Sequence, residues 1–303
     1  MLYGVIDIGA NTIRLVVYNV KGKKIYPVLN NKYSAGLAAY ITAKNKMSSE
    51  GINVTVEILK EIRSVTDRIG LDEVLPFGTS PFRGISNSQE YVQSIKNETG
   101  FDVEIFSGEE EARYDYYGAV NRISFNSGIL TDVGGGSTEI VFFRDKRIVK
   151  MTSIPVGSLN LYKRFVDGIL PSSTEINKMK HEVAKQIVAS KIRVKDVPVE
   201  RMCAVGGSAR TALKLYKSQK GKSLDDTYRT EYYDEYLSQI SNGPKKLSEI
   251  ILKVSPERIH TITPGITILK TVAESFGSEM VETSNNGVRD GYIYYLLKKW
   301  GTL

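Results

Sequence analysis

The sequence predicts an α/β protein built from one unit used twice. Two repeated motifs and the helical spacing of the stretches between them carry this reading. Residues 5–18, VIDIGANTIRLVVY, align with residues 130–143, LTDVGGGSTEIVFF, at a constant offset of 125. Asp7 meets Asp132, Gly9 meets Gly134, Thr12 meets Ser137, and an apolar β-run follows in both. PFGTSPFR (76–83) has its counterpart in AVGGSAR (204–210), each an apolar strand breaking into small residues and then an arginine. Self-similarity at a fixed offset signals a repeated architecture. The Gly- and Asn-containing stretch 121–128 marks the expected join. It gives one domain over 1–122, a second over 123–287, and a C-terminal helix over 288–303 that packs back on the first.

The connecting segments follow in order. Ile58, Ile62, Val65 and Ile69 fall at helical spacing, so a helix is expected over about 53–70, closing at Gly70. SQEYVQSIKNETG (88–100) predicts a helix with Ser88 as cap and Gly100 as terminator. FDVEIF (101–106) reads as a strand and EEEARYDYYGAV as the helix after it. Ser172 and Glu175 form a capping box that opens a long amphipathic helix. Further helices are expected over 209–219, 230–241, 245–253 and 264–276.

Composition excludes several classes of function. The 303 residues are 41% hydrophobic and 25% charged, as expected for a globular chain of two ordinary domains. No signal peptide and no membrane span is read, which with the single cysteine predicts a cytoplasmic protein. Cys203, in the strand-like run RMCAVGG, is expected to be a buried core thiol. Two histidines, His181 and His260, leave no basis for a histidine-based metal centre or a Ser/His triad. Catalysis must then rest on carboxylates, backbone amides, Arg/Lys and a hard cation. The net charge of +7 favours a polyanionic partner. The basic residues do not gather into a recognisable motif, so specific nucleic-acid binding is not expected.

DVGGGSTE is the most informative stretch. Three glycines between two β-runs weaken a sheet unless the backbone must bend or approach a ligand. Without Cβ atoms, the amides of Gly134, Gly135 and Gly136 can come close to phosphate oxygens, with Ser137 and Thr138 adding hydroxyl donors. Asp132 just before the turn would hold a hard cation, for which magnesium suits oxygen ligands and bridging phosphates. DIGANT repeats the arrangement with Asp7, Gly9, Asn11 and Thr12. Two such hairpins can face each other across a cleft and hold a phosphate from both sides. Neither stretch is a P-loop or a dinucleotide fingerprint. Arg210 follows Gly206, Gly207 and Ser208 at a predicted helix start, where a phosphate could bind.

DIGANTIRLVVY, GTSPFRG, SGEEEAR, DVGGGSTE, VGGSART, TPGITIL and NNGVRDGYIYYLL, in this order, resemble the exopolyphosphatase and guanosine pentaphosphate phosphohydrolase family, within the actin/hexokinase/heat-shock chaperone ATPase superfamily. The resemblance implies two ribonuclease-H-like (actin-like ATPase) domains with the site in an interdomain cleft. It implies magnesium-dependent release of a terminal phosphate from inorganic polyphosphate or, alternatively, from guanosine pentaphosphate. It places the general base on Glu111, a phosphate-orienting arginine on Arg83, and metal binding on Asp132, with Asp7 and Glu139 as further candidates. Gly206, Gly207 and Ser208 would guide a phosphate tail or a guanosine group. Ala10 stands where the family usually has serine. Longer family members carry extra C-terminal domains, so short polymers are expected to be handled relatively better here. A superfamily kinase, or a non-catalytic polyphosphate- or nucleotide-binding regulator, are the competing readings, and a homodimer is compatible with either.

Local helix chemistry separates the three glutamates of SGEEEAR. Ser107 and Glu110 form a capping box, and Glu109 stands four residues before Arg113 in the favourable order for an ion pair. Glu111 is left on another face, with Asp115 one turn on and placed to raise its pKa by like-charge repulsion.

Overall fold

The computed structural model describes residues 1–22, 24–193 and 199–302, so residues 23, 194–198 and 303 of the expected domains lie outside it. The chain forms two compact units, Met1–Glu111 with Tyr292–Leu303, and Ala112–Gly291.

In the first unit, β1 (Leu2–Ile8), β2 (Thr12–Lys21) and β3 (Lys24–Ser34) form an antiparallel meander. β4 (Glu73–Gly78) adds in parallel to β1, and β5 (Glu104–Ile105) to β4, giving the order β3-β2-β1-β4-β5. α1 (Ser49–Ile69) begins where the Ser48 hydroxyl accepts the Gly51 N–H at 3.2 Å and ends at Gly70, whose φ of 69° suits a residue without Cβ. α2 (Ser88–Thr99) starts one residue from its expected cap, since Ser88 is already helical. Asn87 precedes it, and its side chain clamps Met47 instead, accepting the Met47 N–H at 2.9 Å and donating to the Met47 carbonyl at 3.0 Å. The strand expected over 101–106 shrinks to two residues because Phe101, Val103 and Phe106 turn into the core rather than extending the ladder. Phe106 stacks on Phe77 at 4.4 Å between ring centroids, with Tyr292 edge-on to both.

The second unit repeats the plan. β6 (Gly128–Val133), β7 (Thr138–Arg144) and β8 (Arg147–Ile154) form the meander, and β9 (Arg201–Val205) adds in parallel to β6. With β10 (Thr227–Arg229) and β11 (Met280–Thr283) the order is β10-β11-β9-β6-β7-β8. α3 (Gly108–Ala119) leads into this unit, and α10 (Val288–Lys299) leads out. Between them lie α4 (Ser158–Phe165), α5 (Ser173–Ala189), α6 (Gly206–Lys220), α7 (Glu231–Asn242), α8 (Pro244–Val254) and α9 (Ile262–Phe276). The Ser172–Glu175 capping box at α5 forms as the sequence predicts. The five-strand order of the first unit recurs in the second, with β11 in the place of β5 and β10 added at the edge, which is the duplicated α/β architecture that the repeat implies.

The units divide inside α3, after Glu111, rather than in the 121–128 stretch. Packing gives the reason. Ala112, Tyr116 and Ala119 join Val141, Phe143, Cys203 and Val205 in one apolar cluster, which binds this part of α3 to the second sheet. Within the same unit, a Cβ on Gly118 would collide with the Gly287 carbonyl, and one on Gly291 with the Tyr114 carbonyl. Backbone neighbours cannot yield as a flexible side chain can. Gly291→Ala is therefore expected to lower unfolding free energy by about 2–3 kcal/mol, read from urea titration, whereas Gly277→Ala is expected to cost less, its φ of 78° being strained but its surroundings open.

Candidate active site

In the first unit the turn between β1 and β2 is closed by the Gly9 N–H donating to the Thr12 carbonyl at 3.0 Å. The Asn11 carbonyl accepts the Ala35 and Gly36 N–H groups, and the Ala10 carbonyl that of Ala38. Asp7 lies opposite Arg14 in the β1–β2 register, so a cation faces this hairpin's acid, and Arg14 Nη1 donates to Asn30 Oδ1 at 2.8 Å. The neighbouring loop leaves β4 at Gly78, where the Phe82 ring occupies the space a Cβ would need. Phe82 in turn stacks on Tyr91 at 4.4 Å. That anchoring fixes Arg83, whose Nη1 donates to the Phe106 carbonyl at 3.0 Å and to Glu111 Oε2 at 2.6 Å.

The Arg83–Glu111 contact revises the expectation for SGEEEAR. The capping box is present, with the Ser107 N–H donating to Glu110 Oε2 at 2.8 Å and the Glu110 N–H to Ser107 Oγ at 3.2 Å. No ion pair joins Glu109 to Arg113 among the described residues; both are exposed, where such pairs gain little over solvation. Asp115 is fully buried beside Gly287 in the second unit, and the guanidinium of Arg83 is in contact with Glu111. With side chains only 22% and 13% exposed, Arg83 and Glu111 form a partly desolvated pair rather than a surface ornament.

The triple-glycine hairpin of the second unit is held from behind. The start of α4 takes all three glycine carbonyls: Ser158 N–H donates to Gly134 at 2.9 Å, Leu159 N–H to Gly135 at 2.9 Å, and Asn160 Nδ2 to Gly136 at 2.9 Å. Gly157 lies so close that a Cβ there would strike the Gly135–Gly136 peptide. With its carbonyls committed to α4, the hairpin leaves the Gly135 and Gly136 amides without a described acceptor, a nest suited to an anion.

Not every predicted donor belongs to that nest. Thr138 is fully buried and its hydroxyl donates to the Val156 carbonyl at 2.6 Å. Ser208 is fully buried and donates to the Val133 carbonyl at 3.2 Å, leaving no space for a Cβ at Gly265. A hydroxyl has one proton to donate, so both side chains hold the scaffold instead of reaching a phosphate. Ser137 is buried at the turn itself.

Asp132 and Glu139 lie opposite one another in the β6–β7 register, which places both carboxylates on one face of the sheet. Glu139 is fully buried and its Oε1 accepts the Ser153 hydroxyl at 2.8 Å. Asp132 rests against the N-terminus of α6, where a Cβ on Gly206 would collide with its Oδ1 and where φ is +84°. Two oxygen donors on one face suit a hard cation that takes its remaining ligands from water and phosphate. No group of three or more candidate metal-binding side chains occurs among the described residues, in keeping with such a sparse donor set.

Arg258 was not singled out by the sequence. Its guanidinium packs where Gly207 lacks a side chain. Burial lowers its pKa from the ordinary value, while Glu257 and Asp132 act in the opposite direction. Only Gly207, about fifty residues away, signalled that something must approach there. Lys163 on α4 also has its pKa lowered by burial. Cys203 is a core thiol, as expected, pushed well up by burial and then by Glu282, Asp115 and Asp132. It should resist a thiol reagent at pH 8 in the folded protein and react with one equivalent in guanidinium chloride; native-state labelling at the rate of free cysteine would contradict this placement.

A family model described as the Ppx/GppA phosphatase family matches residues 16–300. A bifunctional 3-dehydroquinate synthase/phosphatase of Fusobacterium nucleatum is 27% identical over 301 residues, covering 93% of this chain. The chain spans only 44% of that relative's length. Among solved structures, the Aquifex aeolicus PPX-GPPA enzyme is 24% identical with a TM-score of 0.78, covering 97% of this chain and 99% of that one. An exopolyphosphatase from Cytophaga hutchinsonii is 19% identical with a TM-score of 0.86, covering 99% and 98%. At these identities the structural likeness is one of fold.

Proposed function

The chain belongs to the Ppx/GppA phosphatase family, and on that premise we propose that it hydrolyses the terminal phosphoanhydride of inorganic polyphosphate, with Glu111 taking the proton of the attacking water. The observation that carries this reading is the Arg83–Glu111 contact at 2.6 Å. A guanidinium has five N–H donors in a planar fork, so Arg83 can hold Glu111 and still present donors to a phosphate oxygen. The pair brings the two groups that phosphoryl transfer to water needs, a carboxylate that orients the nucleophile and a cation for the phosphate.

In the proposed step the water oxygen bonds to the terminal phosphorus as its proton passes to the Glu111 carboxylate. The bridging P–O bond breaks, and the shortened polymer leaves with its electron pair on oxygen. The Gly135 and Gly136 amides would stabilise phosphate oxygens beside Ser137, whereas the Gly134 N–H, predicted to do the same, closes the turn on the Ser137 carbonyl at 3.0 Å. Thr138 and Ser208 keep the hairpin and the start of α6 in place. Magnesium would be held by Asp132 and Glu139 and would neutralise phosphate charge. Asp7, opposite Arg14, is the weaker metal candidate because a cation already faces it. The same groups would serve guanosine pentaphosphate; the chain's net charge of +7 favours the polymer. One buried cysteine fits a reducing compartment such as the cytoplasm, and no helix among the described residues is long and apolar enough to cross a membrane.

Phosphate release from polyphosphate and from guanosine pentaphosphate tests the reading. Glu111→Gln is expected to lower kcat by about 10²–10⁴-fold with KM changed far less; unaltered turnover would remove Glu111 from the mechanism. Asp132→Asn should raise the magnesium concentration needed for activity and reduce the magnesium-dependent rise in melting temperature. A variant with the wild-type response on both measures would take the cation away from this pair.

A further inference from the structure

The chain's positive charge is not spread evenly. Residues 144–193 contain eleven Lys and Arg against four Asp and Glu, an excess equal to the whole chain's +7. The rest of the sequence is balanced. This stretch comprises the end of β7, β8 on the open edge of the sheet, α4, and α5 with the residues after it.

The fold draws these elements together along one side of the second sheet, from the glycine hairpin at the Ile154 end of β8 towards the turn at its Arg147 end. α4 starts on the hairpin carbonyls, and Arg164 of α4 pairs with Glu182 of α5 at 3.3 Å. Beyond α5, the Lys191 carbonyl accepts Lys150 Nζ from β8 at 3.0 Å, which closes the basic elements into one surface. The acids are largely occupied. Glu182 also accepts from Gln186, and Glu175 is the capping carboxylate of α5, accepting the Ser172 and Asp167 N–H groups. Arg147, Lys150, Lys178, Lys185, Lys191 and Arg193 make no ion pair among the described residues, whereas Lys60, Lys96, Lys220 and Arg229 elsewhere all do.

We infer that this surface of β8, α4 and α5 holds the part of an inorganic polyphosphate chain that lies beyond the terminal phosphate. The inference rests on the proposed polyphosphatase activity and adds to it where the polymer is bound. Unpaired cations collected on one face attract a linear polyanion by releasing its counterions, and the attraction weakens steeply with salt. The surface begins at the hairpin proposed to hold the terminal phosphate, so one polymer can follow it outward. Its exposed large apolar residues are Val149, Ile169 and Val188, with no exposed aromatic ring of the kind on which bases stack. That composition favours inorganic polyphosphate over single-stranded nucleic acid.

The test is direct binding of long-chain polyphosphate by titration calorimetry, alongside phosphate-release kinetics on long-chain polyphosphate and on tripolyphosphate. K178Q/K185Q/K191Q/R193Q is expected to weaken long-chain binding on the order of tenfold and to flatten its salt dependence. KM for the long chain should rise by a similar factor, with KM for tripolyphosphate and kcat within about twofold. The charge-matched K60Q/K96Q/K220Q/R229Q should bind the long chain as wild type does. Equal long-chain binding by both variants, or a rise in KM that is the same for short and long chains, would overturn the inference. So would tighter binding of a single-stranded oligonucleotide of equal charge. If wild type releases no phosphate from any polyphosphate, the substrate reading fails on kinetics, while calorimetry still decides the surface.

Discussion

The triple-glycine hairpin can present amides to an anion only because its carbonyls are held elsewhere. A peptide unit points its N–H and C=O in opposite directions, so fixing one fixes the other. The start of α4 takes the carbonyls of Gly134, Gly135 and Gly136, and Gly157 lets the two backbones approach without a side chain between them. The glycines at 134–136 and at 157 are therefore one constraint seen from two places in the sequence. Thr138 and Ser158 tighten it by hydrogen bonding to Val156 and Gly134. An anion site here, as proposed, would be preorganised by packing behind it, which is where electrostatic stabilisation of phosphoryl transfer is most effective.

A similar economy governs Arg83 and Glu111. Neither lies on a long rigid element at its functional end. Arg83 is in a loop held by Phe82 on Gly78 and Tyr91, and Glu111 is in the first turn of a helix held by the Ser107–Glu110 box. The Phe106 N–H donates to the Gly78 carbonyl at 3.0 Å, which ties the two anchors to each other. Aromatic packing and a cap thus do for this half what α4 does for the glycine hairpin.

How much of this the sequence displayed depends on how local each interaction is. The repeat, the two capping boxes and the C-cap glycines were legible because their partners lie within a few residues, where spacing alone sets geometry. The destination of the Thr138 and Ser208 hydroxyls was not, since Val156 and Val133 reach them only through tertiary packing. Arg258 was invisible for the same reason. The strand over 101–106 was overestimated because alternation of buried residues does not require a ladder partner. The pairing of Glu109 with Arg113 was expected from correct helical spacing, yet solvation removes most of its advantage. Net charge was readable from the start, but a sum over 303 residues concealed that fifty of them hold the whole excess.

Duplication also explains why the two halves need not do the same work. Arg14 and Glu139 occupy equivalent positions at the offset of 125, each opposite the aspartate that begins its hairpin. In the first unit that aspartate faces a cation, and the turn has one glycine with the Ala10 and Asn11 carbonyls bonded to 35–38. In the second it faces another carboxylate, and the turn has three glycines laid against Gly157. Two carboxylates on one face repel unless cations offset them; the Arg258 guanidinium acts with Asp132, and the proposed magnesium would offset the pair further. The first pair is neutral in sum and needs nothing further. On the proposed reading, a single charge reversal at one register position would confine a cation site to one copy of a repeated strand–turn–strand, while the backbone of both copies is retained.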